Sequence, residues 1–178
     1  LCHICDHMPL NVPHLASLGL GLASLGATGR NPLPATEIIG RYGHATEISR
    51  GKDTITGHWE IAGVPLERDW GYFPHTVPAF PRDFIDTLIA RCKLPGLLAM
   101  KHASGIGVIE DYGEEHIATG KPIIYTSADS VAQIAAHEEH FGLERLYDLC
   151  RIAFDCALPY RIGRVIARPF TGAARESF

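Results

Sequence analysis

Residues 122–127, which read PIIYTS, give the first indication of the fold. The stretch is short and β-rich, which is typical of a strand buried inside a sheet. Helices are predicted after it over residues 130–139 and 143–154, and a last strand over residues 162–167. Strands separated by helices predict an α/β or α+β arrangement.

The sequence before this strand also alternates helical patterns with loops. Val12, Leu15, Leu18 and Leu22 recur at helical spacing after the break at Pro13, which predicts a short helix. The other elements predicted are a strand within 38–48, a Pro- and aromatic-rich crossover at 65–81, a helix over 83–92 and a short helix from 105 to 120.

Composition and charge limit the classes of function. The chain has 178 residues, of which 46% are hydrophobic and 20% charged, as in ordinary globular proteins. Its net charge of -4 and pI of about 6.2 argue against a basic nucleic-acid-binding surface. The longest apolar run is shorter than a membrane span requires. We therefore expect neither a nucleic acid nor a membrane as partner.

The five cysteines show no spacing typical of a disulfide framework. This favours a reducing compartment, and we expect a cytoplasmic protein. Cys2 and Cys5 have the spacing of half a zinc site, but no second pair at ligand spacing follows. We therefore expect helix cysteines there and no metal site.

Residues 50–61, which read RGKDTITGHWEI, combine a polar turn with the first turns of a helix. Such a turn presents backbone N–H groups to a phosphate, Lys52 adds a cation, and Thr54 and Thr56 offer hydroxyls. The spacing is not that of a P-loop, which would need Gly at position 46 and Ser or Thr instead of Asp53. Thr54 would also need a metal ion or a base to act as a nucleophile. The alternative is that Asp53 or Thr54 only caps the helix.

Polar residues also lie at the ends of two predicted strands. Asp129 follows the 122–127 strand, where it would accept hydrogen bonds from sugar hydroxyls or, alternatively, cap the next helix. Arg164 and Arg168 lie on one face of the last strand, which suits either phosphate contacts or surface ion pairs.

His137 and His140 resemble part of a zinc-protease helix, but the second histidine is at i+3 and the motif needs i+4. Because the spacing is broken, we expect a solvated helix face.

Several strings, in chain order, resemble the phosphopentomutases of the alkaline-phosphatase-like superfamily. The strings are GKDT (51–54), GHWEI (57–61), GEEH (113–116), TGKPI (119–123), YTSADSV (125–131), QIAAHE (133–138), LY (146–147) and GRVIARPF (163–170). They cover most of the chain from about residue 37 onward, so the set is more specific than any single motif.

The resemblance implies a reaction of nucleoside salvage, in which ribose or 2-deoxyribose 1-phosphate and the 5-phosphate interconvert. It implies that a phosphorylated threonine, here Thr54, donates its phosphoryl group, that a 1,5-bisphosphate forms, and that the enzyme takes a phosphoryl group back. By motif, the residues that would bind the pentose phosphate are Ser127, Asp129, Val131, Arg164 and Ile166. Arg164 would hold the non-transferring phosphate.

The family also uses two manganese ions, whose Asp and His motifs this chain lacks. We therefore expect a fragment that is inactive alone, in which Thr54 serves as a helix cap. Its expected parts are a partial alkaline-phosphatase-like core, residues 1–65, and a sheet-and-helix cap domain, residues 66–178. The alternatives are a stand-alone cap that binds pentose phosphate without chemistry and a remnant that self-associates through exposed apolar surface. The oligomeric state is left open.

Overall fold

The structure is a computed structural model that describes residues 1–51 and 53–178. Lys52, the cation of the phosphate hypothesis, lies outside the described residues. The described residues form a mixed α/β fold with one four-stranded sheet and seven α-helices. The α-helices are α1 (Cys2–His7), α2 (Pro13–Ser17), α3 (Leu20–Thr28), α4 (Thr54–Ile61), α5 (Arg82–Cys92), α6 (Gly105–Thr119) and α7 (Leu143–Ala157). The strands are β1 (Leu98–His102), β2 (Ile123–Thr126), β3 (Val131–His137) and β4 (Arg164–Phe170).

The sheet has the strand order β1-β2-β3-β4. The outer pairs, β1 with β2 and β3 with β4, are parallel, whereas β2 and β3 are antiparallel. Parallel neighbours need a crossover connection, and α6 and α7 provide the two crossovers. The β2–β3 turn, residues 127–130, lies beside the start of β4, because Val131 pairs with Arg164 in the register.

Helices cover both faces of the central strands. α5 and α7 pack on one face, in an apolar cluster that includes Phe84, Leu88 and Leu146. α6 packs on the other face, where Val108 and Tyr125 belong to a second cluster. Every residue of β2 and β3 is buried, so neither strand shows the alternation of apolar and polar residues that is typical of a half-exposed strand.

The predicted helix over residues 130–139 is wrong. The segment forms β3, followed by a π-helical turn at Glu138–Gly142. Alanine and glutamine favour a helix locally, but a central position between β2 and β4 outweighs that preference.

The strand predicted within residues 38–48 is also wrong, because the structure describes that segment as irregular. β1, in contrast, has no signal in the sequence. Ala99 and Met100 have positive φ angles of 67° and 50°, and the register with β2 shifts between Ala99 and Lys101. A strand with such a bulge does not keep the period-2 pattern by which strands are predicted.

Elements with strong patterns are confirmed. The predicted helices over 83–92 and 143–154 correspond to α5 and α7, and β4 contains most of the 162–167 prediction. α6, Gly105–Thr119, confirms the helix predicted from 105 to 120, although with 15 residues it is not short. Near the start of the chain two helices replace the single predicted one, because Gly19 interrupts them with a φ of 100°.

The chain divides into two compact units, Leu1–Ile48 and Ser49–Phe178. The first contains α1 to α3, and the second contains α4 to α7 and the sheet. The domain boundary predicted at residues 65 and 66 stays a prediction. In the described part of the chain, no helix has the length and apolar character needed to cross a bilayer.

Candidate functional site

Asp53 is the N-cap of α4, as one of the sequence alternatives predicts. Its Oδ1 accepts hydrogen bonds from the backbone N–H groups of Ile55 and Thr56, at 3.0 Å each. Its Oδ2 accepts from the Thr56 hydroxyl at 2.7 Å and from the Tyr72 hydroxyl at 3.1 Å. Burial would raise the pKa of Asp53, but the hydrogen bonds from Thr56, Tyr72 and Ile55 hold that pKa below its ordinary value.

Thr54 is the first residue of α4, so the expectation that Thr54 itself caps the helix is wrong. Its side chain is exposed, and its hydroxyl donates a hydrogen bond to Oδ2 of Asp129 at 3.3 Å. Because Asp53 caps the helix, the Thr54 hydroxyl is available to a group from another part of the fold.

Asp129 lies in the β2–β3 turn. A strand follows it, so the alternative that Asp129 caps a helix is wrong. Its Oδ2 lies 2.8 Å from Nη2 of Arg164, and about a third of each side chain is exposed, 31% for Arg164 and 34% for Asp129. An ion pair this exposed stabilises the fold only slightly. Nε of Arg164 is buried and has no hydrogen-bond partner among the described residues.

Thr54, Asp129 and Arg164 are thus joined by direct hydrogen bonds, because one carboxylate oxygen accepts from both neighbours. We call these three residues the Thr54 cluster. Among the other predicted site residues, Ser127 lies in the same turn as Asp129, and Val131 pairs with Arg164.

Ile166 follows two residues after Arg164, on the same face of β4, and pairs with Gln133. The structure therefore places all six predicted site residues on α4, the β2–β3 turn and the first half of the β3–β4 pair.

Arg168 does not join the Thr54 cluster. Its Nε donates to Oε1 of Gln133 at 3.0 Å, and the same oxygen accepts from the Tyr125 hydroxyl at 3.2 Å. Burial raises the pKa of Tyr125. This contact to a neutral amide is not the surface ion pair considered from sequence. Gln133 was missed because it lies in the segment predicted as a helix.

Tyr72 is a second residue that sequence reasoning missed. It belongs to the Pro- and aromatic-rich stretch, residues 65–81, whose composition predicts only a crossover. An aromatic residue with a polar tip in such a segment is the one available signal, and it is weak.

His137 and His140 do not share a helix face. His137 is the buried last residue of β3, so the expectation of a solvated helix face is wrong for it. Its Nε2 donates to the carbonyl of Gly172 at 2.8 Å, and its Nδ1 accepts from the backbone N–H of Glu139 at 3.2 Å. Both ring nitrogens therefore have structural partners.

Within residues 1–51 and 53–178, no group of three or more His, Cys, Asp or Glu side chains is arranged to hold a metal ion. Cys2 and Cys5 lie on α1, as expected of helix cysteines. The sulfur of Cys2 lies 3.5 Å from the Ser24 hydroxyl and 3.6 Å from the Thr28 hydroxyl. These hydrogen bonds lower the pKa of the Cys2 thiol, and the one with Ser24 has the larger effect.

The chain as a whole is similar to curated proteins that share one name. A phosphopentomutase of Methylobacterium nodulans is 61% identical over 173 residues, which are 96% of this chain and 42% of that protein. A phosphopentomutase of Methylorubrum extorquens strain PA1 is also 61% identical, over 96% of this chain and 43% of that protein. The resemblance to the phosphopentomutases is confirmed. A phosphopentomutase of Chromohalobacter salexigens, 56% identical, matches 100% of this chain and 44% of that protein.

The chain spans less than half the length of these phosphopentomutases, 42–44%. Because the match covers 96% or more of this chain, it extends into both compact units. No protein-family model matches the chain.

Proposed function

We propose that this chain is the part of a phosphopentomutase that carries the phosphorylated threonine and binds the pentose phosphate. The proposed reaction interconverts ribose or 2-deoxyribose 1-phosphate and the 5-phosphate. The names of the relatives support the reaction, and the Thr54 cluster is the observation in the structure that supports it best.

Arg164 is the proposed phosphate-binding residue. Its Nη2 is engaged with Asp129, whereas its buried Nε has no partner among the described residues. An unsatisfied buried donor costs about 1–3 kcal/mol, which an anionic ligand oxygen would recover. The planar guanidinium also suits the geometry of a phosphate better than a lysine ammonium does.

Asp129 is proposed to accept hydrogen bonds from the sugar hydroxyls, with Ser127, Val131 and Ile166 lining the pentose. Its carboxylate already accepts a hydrogen bond from the Thr54 hydroxyl in this structure. A phosphorylated Thr54 has no hydroxyl proton to donate, so this hydrogen bond would be lost in the phosphorylated state. Asp129 would then be available to a sugar hydroxyl.

The proposed transfer begins when a sugar oxygen attacks the phosphorus of phosphorylated Thr54. The bond between phosphorus and the Thr54 oxygen breaks, the Thr54 oxygen takes up the proton that the sugar hydroxyl loses, and the bisphosphate forms. A phosphoryl group from the other end of the bisphosphate then returns to Thr54. In this chain Arg164 would hold the phosphate that is not transferred.

Two manganese ions are proposed for the whole protein from the family resemblance alone. The described residues of this chain do not offer a fitting ligand group. We therefore propose that the 178-residue chain alone does not catalyse turnover.

Three further features are proposed for the whole protein. The core domain would have the alkaline-phosphatase-like fold, with residues 1–65 as part of it and residues 66–178 as the cap. The protein would act in the cytoplasm, which its five free cysteines support. The alternative function, a cap that binds pentose phosphate without chemistry, is supported by the same Asp129–Arg164 pair.

Calorimetry with ribose 5-phosphate on the 178-residue chain tests the proposed function. Arg164→Ala removes the donors of the guanidinium, so we expect affinity to fall by about 1.5–3 kcal/mol, or roughly 10- to 150-fold. Arg151→Ala is the matched control, because Arg151 forms an exposed ion pair with Asp148 on α7.

Absence of binding by the unsubstituted chain at millimolar ligand, or an equal loss in both variants, would contradict the proposal. An assay with added manganese separates the two candidate functions. No turnover is expected from this chain, and turnover by the whole protein would exclude the non-catalytic alternative.

A further inference from the structure

We propose that Tyr72 is a positioning residue for Thr54, acting through the capping carboxylate of Asp53. The inference rests on the proposed function, because it concerns how the phosphoryl-carrying hydroxyl is oriented.

The Asp53 carboxylate accepts hydrogen bonds from its own helix and from one distant residue. Three of its four described hydrogen bonds come from Ile55 and Thr56, which belong to the same helix as Thr54. The fourth comes from Tyr72, 19 residues away in sequence. Among the described residues, Tyr72 is therefore the group that ties the start of α4 to another segment through this carboxylate.

Tyr72 is held in place through the backbone of the residue before it. The backbone N–H of the preceding residue, Gly71, donates to the carbonyl of Arg161 at 2.8 Å. A Cβ at Gly71 would lie 2.0 Å from the carbonyl oxygen of Tyr160, so only glycine allows this approach. The segment that carries Tyr72 is thereby fixed to the turn just before β4, the strand that begins with Arg164.

A third observation shows that α4 and β4 are fitted closely at the same place. A Cβ at Gly163 would lie 2.4 Å from Cδ1 of Ile55 and 3.0 Å from the Trp70 ring. A Cβ at Gly51 would lie 2.5 Å from Oγ1 of Thr56. Gly163 thus allows the residue before β4 to approach α4 closely, and Gly51 allows the capping loop to approach Thr56.

These contacts affect the orientation of Thr54. Its own hydrogen bond to Asp129 is long, 3.3 Å, and its side chain is exposed, so that bond alone fixes the hydroxyl weakly. Asp53, the residue before Thr54, is bound to Tyr72, and the segment that carries Tyr72 is bound to the turn that leads into Arg164. Tyr72 therefore sets where the Thr54 hydroxyl points relative to the proposed phosphate-binding arginine.

The protonation states favour this contact. Burial and the Asp53 charge raise the pKa of Tyr72, so its hydroxyl stays protonated and acts as a donor. The carboxylate of Asp53 stays charged, and hydrogen bonds to charged groups are stronger than those between neutral groups.

The test is Tyr72→Phe in the 178-residue chain, with the Thr54 side-chain rotamer measured by three-bond couplings from its methyl carbon to the backbone nitrogen and carbonyl carbon. We expect one dominant rotamer in the unsubstituted chain and averaged couplings in Tyr72→Phe. Tyr147→Phe is the control, because Tyr147 is a partly exposed tyrosine on α7. Couplings that stay unchanged in Tyr72→Phe would overturn the inference.

A second variant separates positioning from general loosening. Asp53→Asn keeps a side-chain oxygen for the two backbone N–H groups but loses an acceptor for Tyr72. If the two residues act together, the double variant Tyr72→Phe/Asp53→Asn should average the couplings no more than either single variant. Independent, additive effects would contradict a joint action.

The outcomes also separate this inference from the proposed function. Failure of the unsubstituted chain to bind ribose 5-phosphate would count against the function, whereas the Thr54 couplings would still report on positioning. Binding that is retained, with couplings unchanged in Tyr72→Phe, would overturn the positioning role alone.

Discussion

At the scale of residues, the helix cap and the proposed nucleophile are two neighbouring residues. The sequence allowed either Asp53 or Thr54 to cap α4, and the structure assigns the cap to Asp53. Thr54 then contacts Asp129, a residue 75 positions away. Local capping rules narrowed the cap to these two residues, but no local rule predicts a contact that depends on how the β2–β3 turn meets α4.

Asp53→Ala is predicted to destabilise the chain at neutral pH by about 1 kcal/mol, the usual cost of losing a helix cap. The hydrogen bonds hold the pKa of Asp53 below the unfolded value of about 3.9. The stabilisation is therefore present above that value and is lost as pH falls through the lower folded pKa. Urea unfolding at pH 7 and pH 3 checks this.

The control for that experiment is Asp86→Ala, because Asp86 is an exposed carboxylate paired with Arg82 on α5. We expect a small effect from it. A destabilisation by Asp53→Ala that is equally large at both pH values would contradict the role given to the charged carboxylate.

At the scale of elements, the sequence predicted the helices better than the sheet. α5 and α7 pack on the same face of the sheet, each with a single apolar side, so their periodicity is visible in the sequence. β3 is buried on both faces and rich in alanine, so its pattern does not distinguish a strand from a helix. The family resemblance identified the strings YTSADSV and QIAAHE, but it did not indicate that residues 131–137, most of which belong to these strings, form the strand β3.

His116 shows how the elements are held together. It lies on α6, is 1% exposed, and its Nε2 accepts from the backbone N–H of His137 at 2.9 Å. Its Nδ1 must then donate to the carbonyl of Lys121, at 2.7 Å. α6 is thereby tied both to the end of β3 and to the segment before β2.

His116→Ala is predicted to cost about 1–3 kcal/mol, because it leaves the buried N–H of His137 unsatisfied. Burial lowers the pKa of His116 below its usual value, so its neutral form stabilises the fold above pH 6.5. This contribution is lost as pH falls through 6.5 towards the folded pKa, because only the unfolded chain binds the proton readily. Urea unfolding at pH 7.5 and pH 5 measures both effects.

His14→Ala serves as the control for the His116 experiment, because His14 is exposed on α2. The loss of stability between the two pH values should shrink in His116→Ala and persist in the control. An undiminished loss in His116→Ala would assign the pH dependence to another group.

At the scale of the whole molecule, the proposed site lies inside one compact unit. Thr54, Asp129 and Arg164 all belong to Ser49–Phe178, although the domain boundary predicted from sequence would place Thr54 in a different domain from the other two. The ordered strings predicted a set of site residues, but composition and periodicity could not show that these three residues meet. That meeting depends on the sheet order and on the antiparallel β2–β3 turn.

The most direct test of this account is an amide chemical-shift titration of the isotope-labelled 178-residue chain with ribose 5-phosphate. If the Thr54 cluster binds the pentose phosphate, the largest shift changes will occur at Thr54, in residues 127–131 and in residues 164–166. Amides of α7 and of residues 1–48 should change little. Largest changes outside the predicted segments, or no saturable change at millimolar ligand, would contradict the assignment of the Thr54 cluster as the pentose-phosphate site.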